Sequence, residues 1–111
     1  MIVKLENREY EFLANGKFLM KYQDNFHENL VVALYKVAME KDPLTCLKIV
    51  YSGIKEELPF EEWLDTFETP LFILEEMDKI YEYVTRSIQP TVELKGDDSN
   101  KENGEKKTKI N

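Results

Sequence analysis

One cysteine and one histidine are all that this 111-residue chain offers for thiol or imidazole chemistry. A lone Cys46 closes no intramolecular disulfide, which suits folding in a reducing cytoplasm. His27 stands nineteen positions from Cys46, without the partners that a zinc site or a hydrolytic triad requires. No nucleotide-binding or catalytic motif is present, so no cofactor, no metal and no catalytic residue is expected. Long apolar runs are missing too. Nothing approaches the roughly 20 residues that a membrane-spanning helix needs, and the opening MIVKLENREY lacks the apolar centre of a secretory signal. Basic charge is scarce in the body of the chain. Residues 1–94 carry 10 Lys and Arg against 18 Asp and Glu, a net of −8. Binding nucleic acid through its phosphates needs the opposite sign, as does adherence to an anionic membrane.

What the chain does contain is an ordered succession of parts. Residues 2–5 are apolar apart from Lys4, and Tyr10 and Phe12 alternate with Glu9 and Glu11. That period of two, on either side of the polar break Glu6-Asn7-Arg8, predicts a hairpin of strands at Val3–Leu5 and Glu9–Phe12 with one face on the core. Amphipathic helices follow. Lys17–Asn25 carries Phe18, Leu19 and Tyr22 and ends at Asp24-Asn25. Asn29–Lys41 puts Leu30, Leu34, Val37 and Ala38 on one face, with Val31 and Tyr35 alongside. Asp42-Pro43 is a favoured helix start, Asp accepting from free amides as N-cap and Pro at the first position. This helix runs to about Ser52, with Leu44, Leu47, Val50, Tyr51 and Ile54 inward and Gly53 as its stop. Beyond Pro59, the residues Phe60, Trp63, Leu64 and Phe67 recur at helical spacing. Thr69-Pro70 repeats the cap-then-proline start. A last helix to about Ser87 aligns Ile73, Met77, Ile80, Val84 and Ile88, widened by Leu74 and Tyr81, and Pro90 ends it.

After Leu94 the composition changes to KGDDSNKENGEKKTKIN, whose one large apolar side chain is Ile110. So little apolar surface does not offset the entropy of ordering. The expected fold is α+β and mainly helical: an N-terminal β-hairpin, four or five amphipathic helices and a disordered C-terminal tail. The compact domain spans residues 1–92 and the polar tail residues 93–111. A domain this small has a narrow stability margin, and two strands alone are marginal. Both point to a homo-oligomer that extends the sheet or shares a helix face.

The acids are unevenly placed. Between Glu56 and Glu82 there are ten Asp and Glu and one base, Lys79. Neighbours on a helix point about 100° apart, so neither Glu61-Glu62 nor Glu75-Glu76 is a ready dyad. The spacing does not match a calcium loop either. Two readings remain open. One is a solvated face that keeps the protein in solution. The other is an acidic surface, with Glu61, Glu62, Asp65, Glu68, Glu75 and Glu76 as candidate partner-binding residues, that steers a basic partner. The aromatic group Phe60, Trp63, Phe67 and Phe72 has two readings, an exposed binding patch or a core face, and its spacing favours the buried face.

Three stretches carry a family resemblance: the hairpin IVKLENREYEF, the segment LTCLKIVYSGIKEELPFEEWLDTF, and the charged tail. Together they resemble the tail assembly chaperones of long-tailed bacteriophages, in particular those of phages of Gram-positive hosts. In that family a helix ends in an apolar–Tyr–Ala–Gly–Leu-like signature, followed by a proline and a Glu-Glu-rich helix. Here Val50-Tyr51-Ser52-Gly53-Ile54 precedes Pro59, Glu61-Glu62 and Asp65, with Ser52 and Ile54 departing from the commoner small and leucine positions. The resemblance implies a non-enzymatic protein that coats the tape measure protein, keeps it in solution and helps recruit tail tube protein. It implies work in the host bacterial cytoplasm and absence from the mature virion. The alternative reading is an acidic inhibitor or adaptor that mimics nucleic acid and binds a basic partner.

Many genes of that family yield a longer product by a programmed frameshift. Lys106-Lys107 is the candidate slip site, which would make this chain the short form, with Thr108–Asn111 unique to it. The nucleotide sequence is expected to show an uninterrupted A-rich run there and an open −1 frame past the stop codon. An interrupted run excludes the shift.

Overall fold

The computed structural model describes residues 1–88. Its order is a β-hairpin followed by helices, an α+β fold that is mainly helical. Strands β1 (Ile2–Leu5) and β2 (Arg8–Glu11) pair antiparallel, with Val3 opposite Tyr10 and Leu5 opposite Arg8. Alternation sends Val3 and Leu5 fully inward and leaves Ile2 and Lys4 outside. The polar break between the strands proves to be a clamp. Glu6 sits at φ 60°, a left-handed conformation that costs a non-glycine residue energy. Its carboxylate accepts the Thr69 amide at 2.7 Å and the Thr69 hydroxyl at 3.1 Å. Arg8 donates to the Thr66 hydroxyl and the Thr66 carbonyl, both at 2.8 Å, and its guanidinium lies 4.3 Å from the Phe67 ring centre. The hairpin is thereby held to a segment some sixty residues away in sequence.

Local chemistry explains the helix limits. Helix α1 (Gly16–Phe26) begins at Asn15, whose side chain accepts the Phe18 amide at 3.0 Å. It extends past Asp24-Asn25 and ends where His27 turns left-handed and donates its amide to Gln23. Asn29 caps α2 (Leu30–Tyr35) by accepting from Val31 and Val32. The helix then widens into a π segment (Lys36–Glu40), closed by left-handed Lys41. Val31 and Tyr35, expected beside the inward face, are on the outside, at 67% and 60% exposure. Leu30, Ala33, Leu34 and Val37 complete the inward face without them.

Helix α3 (Pro43–Gly53) starts at the expected place by a different bond. Asp42 caps no amide with its side chain. Its carboxylate accepts the Thr45 hydroxyl at 2.6 Å. Helix α4 (Phe60–Asp65) is short. The single last helix expected from Thr69-Pro70 is divided. A 3₁₀ segment (Pro70–Glu75) precedes α5 (Met77–Ile88), and Thr69, whose amide and hydroxyl donate to Glu6, makes no side-chain cap. Leu44, Leu74 and Ile88, read as inward, are exposed. The stripe Ile73, Met77, Ile80 and Val84 is buried as the spacing requires.

The core is built around α3, where Thr45, Cys46, Leu47, Ile49, Val50, Tyr51 and Ser52 are all buried. Trp63 is fully buried between Tyr51, at 5.4 Å between ring centres, and Phe67, at 5.1 Å. A side chain at Gly53 would run into the Phe12 ring, and the Gly53 carbonyl accepts the Leu13 amide at 2.9 Å. The glycine that ends α3 therefore also admits the chain leaving the hairpin. The expected helix stop at Pro90 and the polar tail of residues 93–111 lie outside the described residues. Trp63→Ala is expected to cost about 3–5 kcal/mol, read as a lower urea midpoint. Gly53→Ala, mild by helix propensity alone, is expected to cost about 1–3 kcal/mol by displacing Phe12.

Candidate partner-binding groove

An open groove of about 610 Å³ runs between the end of α1, the outer side of α3 and the start of α4. Phe26, Leu44, Pro59, Phe60 and Leu64 give it apolar walls, and Lys48, Glu61 and Glu62 give it charge. Each wall is held by chemistry behind it. Phe26 and Phe60 meet edge to face at 4.9 Å between ring centres, and both contact Tyr51. The Tyr51 hydroxyl donates to the Leu58 carbonyl at 2.6 Å. The Glu56 carboxylate accepts the amides of Glu57 and Leu58, each at 3.1 Å. Lys21 donates to the Ile54 carbonyl at 3.0 Å and lies over the Tyr51 ring. Burial lowers the Lys21 pKa, and Glu56 opposes that shift. The loop from Ile54 to Pro59 is thus tied at three points, and it delivers Phe60 to the groove.

The charged groups at the groove differ in freedom. Lys48 is committed: its ammonium lies 2.9 Å from Glu28 and 5.4 Å from the Phe26 ring centre. The Lys48 hydrogen bond holds the Glu28 carboxyl below its ordinary range; burial opposes this, and the Tyr22 hydroxyl adds to it with a bond of 2.9 Å. Glu61 and Glu62 are exposed in the first turn of α4. They carry none of the side-chain hydrogen bonds or ion pairs found among the described residues. The groove therefore presents an apolar floor with uncompensated negative charge on one rim.

The six acids expected to bind a partner do not form one surface feature. Only Glu61 and Glu62 line the groove. Asp65, Glu68 and Glu75 are exposed elsewhere. Glu76 is half-buried against the hairpin, 3.5 Å from the Lys4 amide and 3.6 Å from Lys79. The sequence favoured burial for Phe60 over an exposed patch, because Phe60 and Leu64 share the spacing of the buried Trp63. Leu44 was expected inward. Its signal was its place at the second position of α3, next to Pro43, where the helix has barely entered the core.

Cys46 is buried, and that burial together with Asp42 pushes its thiol up to about 12. A thiol so placed is a small apolar packing group. His27 serves as the left-handed end of α1. Among the described residues no three His, Cys, Asp or Glu side chains are gathered to hold a metal ion, and no helix is long and apolar enough to cross a membrane. Lys106 and Lys107 lie outside the described residues.

Comparison with family models, with curated proteins and with solved structures finds no match to this chain.

The Glu28 environment sets a pH dependence. A carboxyl whose folded pKa is depressed stabilises the fold above its ordinary value of 4.5 and ceases to do so as pH falls through the lowered value. Glu28→Gln is therefore expected to melt below the parent at neutral pH. The two melting curves should converge in acid well under 4.5. A difference that persists there would place the cause in packing instead of charge.

Proposed function

We propose that this protein is an assembly chaperone of a long-tailed phage, holding apolar segments of the tape measure protein in solution and helping to recruit tail tube protein. The acid-rimmed apolar groove carries the reading. An amphipathic segment buries its apolar face on Phe26, Leu44, Phe60 and Leu64, while its Lys or Arg residues meet Glu61 and Glu62. The apolar floor supplies affinity that tolerates many sequences. The acids favour encounter with basic segments and set their orientation. A long helical client offers such segments repeatedly, so many copies can coat it and add like charge along its length. The family resemblance in Val50–Ile54 and Pro59–Asp65 supports the same reading, since Tyr51 of the first segment packs behind the groove and Pro59, Phe60, Glu61, Glu62 and Leu64 of the second line it.

Co-expression with a tape measure fragment is the test. The fragment is expected to stay in solution and to elute with this protein in a many-to-one ratio. Replacing Glu61 and Glu62 together by Lys is expected to shift stability by no more than about 0.5 kcal/mol and to reduce co-elution most at low salt. If the fragment precipitates equally with and without this protein, the chaperone reading fails, and the acidic inhibitor that binds a basic partner becomes the reading to test.

A further inference from the structure

A helix that turns Leu30, Ala33, Leu34 and Val37 inward normally has a polar opposite side. The opposite side of α2 and its π segment carries Val31, Val32, Tyr35 and Met39 instead, at 67%, 52%, 60% and 66% exposure. Residues 31, 35 and 39 succeed one another in four-residue steps along the helix, and Val32 broadens the row. Single exposed apolar side chains need no explanation, but a contiguous row does. Helices that are apolar all round are generally buried ones.

We propose that this row is the surface through which two copies of this chain pair, α2 against α2 across a two-fold axis. Charge selects the occupant. Two copies of net charge −7 repel each other, and this row lets them approach without setting carboxylate against carboxylate. From Asn29 to Met39 the only charged residue is Lys36, which acts on Glu28 of its own chain. A basic client finds acids at the groove and none along this row. Area sets the strength. With more than half of each side chain exposed, the four present roughly 400 Å² per copy. Two such faces total about 800 Å², below what a stable interface buries, so the dimer is weak, transient and dependent on concentration. Geometry permits self-pairing: in an antiparallel arrangement centred on Tyr35, Val31 of one copy meets Met39 of the other, and the flexible thioether fills the space beside the branched side chain.

Sedimentation velocity of the full chain over a concentration series tests this. The parent is expected to pass from monomer to dimer with a Kd in the micromolar to millimolar range. Val31→Glu combined with Met39→Glu is expected to remain monomeric throughout, with its melting temperature unchanged. A second measurement does not depend on that variant folding. Tyr35→Cys should oxidise to a covalent dimer faster than Glu57→Cys, a control at another exposed position, while buried Cys46 stays silent. A parent that is monomeric at every concentration overturns the proposal. So does a double variant that dimerises like the parent, or equal cross-linking at positions 35 and 57. Protection of Tyr35→Cys from alkylation by a tape measure fragment, in a monomeric chain, would assign the row to the client. Loss of client binding in the Glu61 and Glu62 variants with dimerisation intact leaves this proposal standing, because the two surfaces are separate.

Discussion

The burial of α3 on nearly every side is the constraint from which the rest of this structure follows. An eleven-residue helix with seven buried residues needs neighbours around most of its circumference. So small a domain supplies them only by wrapping its other elements around that one axis. Helices α1, α2 and α5, the π segment and the 3₁₀ segment all pack on it. Its own polar groups must then be satisfied locally, since water does not reach them. The Thr45 hydroxyl turns to Asp42 and the Ser52 hydroxyl to the Lys48 carbonyl at 2.9 Å. Gly53 is the point where the wrapping closes, with the Phe12 ring in the space a side chain would occupy.

The groove is a consequence of how that wrapping ends. Leu44 and Lys48 are where α3 emerges from the core, and α4 is too short to cover them. The loop before α4 stays in place because Tyr51, Lys21 and Glu56 each hold part of its backbone. Tyr51 links the two functions of this region. Its ring packs against Trp63 in the core, and its hydroxyl fixes the loop that shapes the groove. The acidic charge remains outside because an ionised carboxylate without a partner is costly to bury. The half-buried acids, Glu28, Asp42, Glu56 and Glu76, each have a donor that accounts for their position.

Two surfaces of different chemistry result. The groove combines apolar walls with free negative charge and suits a basic amphipathic segment. The row on α2 is apolar without acids and suits a second copy. On the proposed reading, separate surfaces would let one copy hold a client segment and pair with a second copy at once.

By itself the sequence determined the hairpin, the helix starts at Asn29 and Asp42-Pro43, the buried stripe of α5 and the burial of Trp63 and Phe67. These depend on periodicity and on bonds between residues a few positions apart, so the information is local. Only the tertiary structure decided which apolar residues face out. Val31, Tyr35 and Leu44 satisfy the same spacing rules as their buried neighbours, and their exposure depends on whether another element reaches them. It also decided what Thr69 and Glu76 do. Their partners, Glu6 and Lys4, stand more than sixty residues away in the chain, and no local pattern registers a bond across that distance.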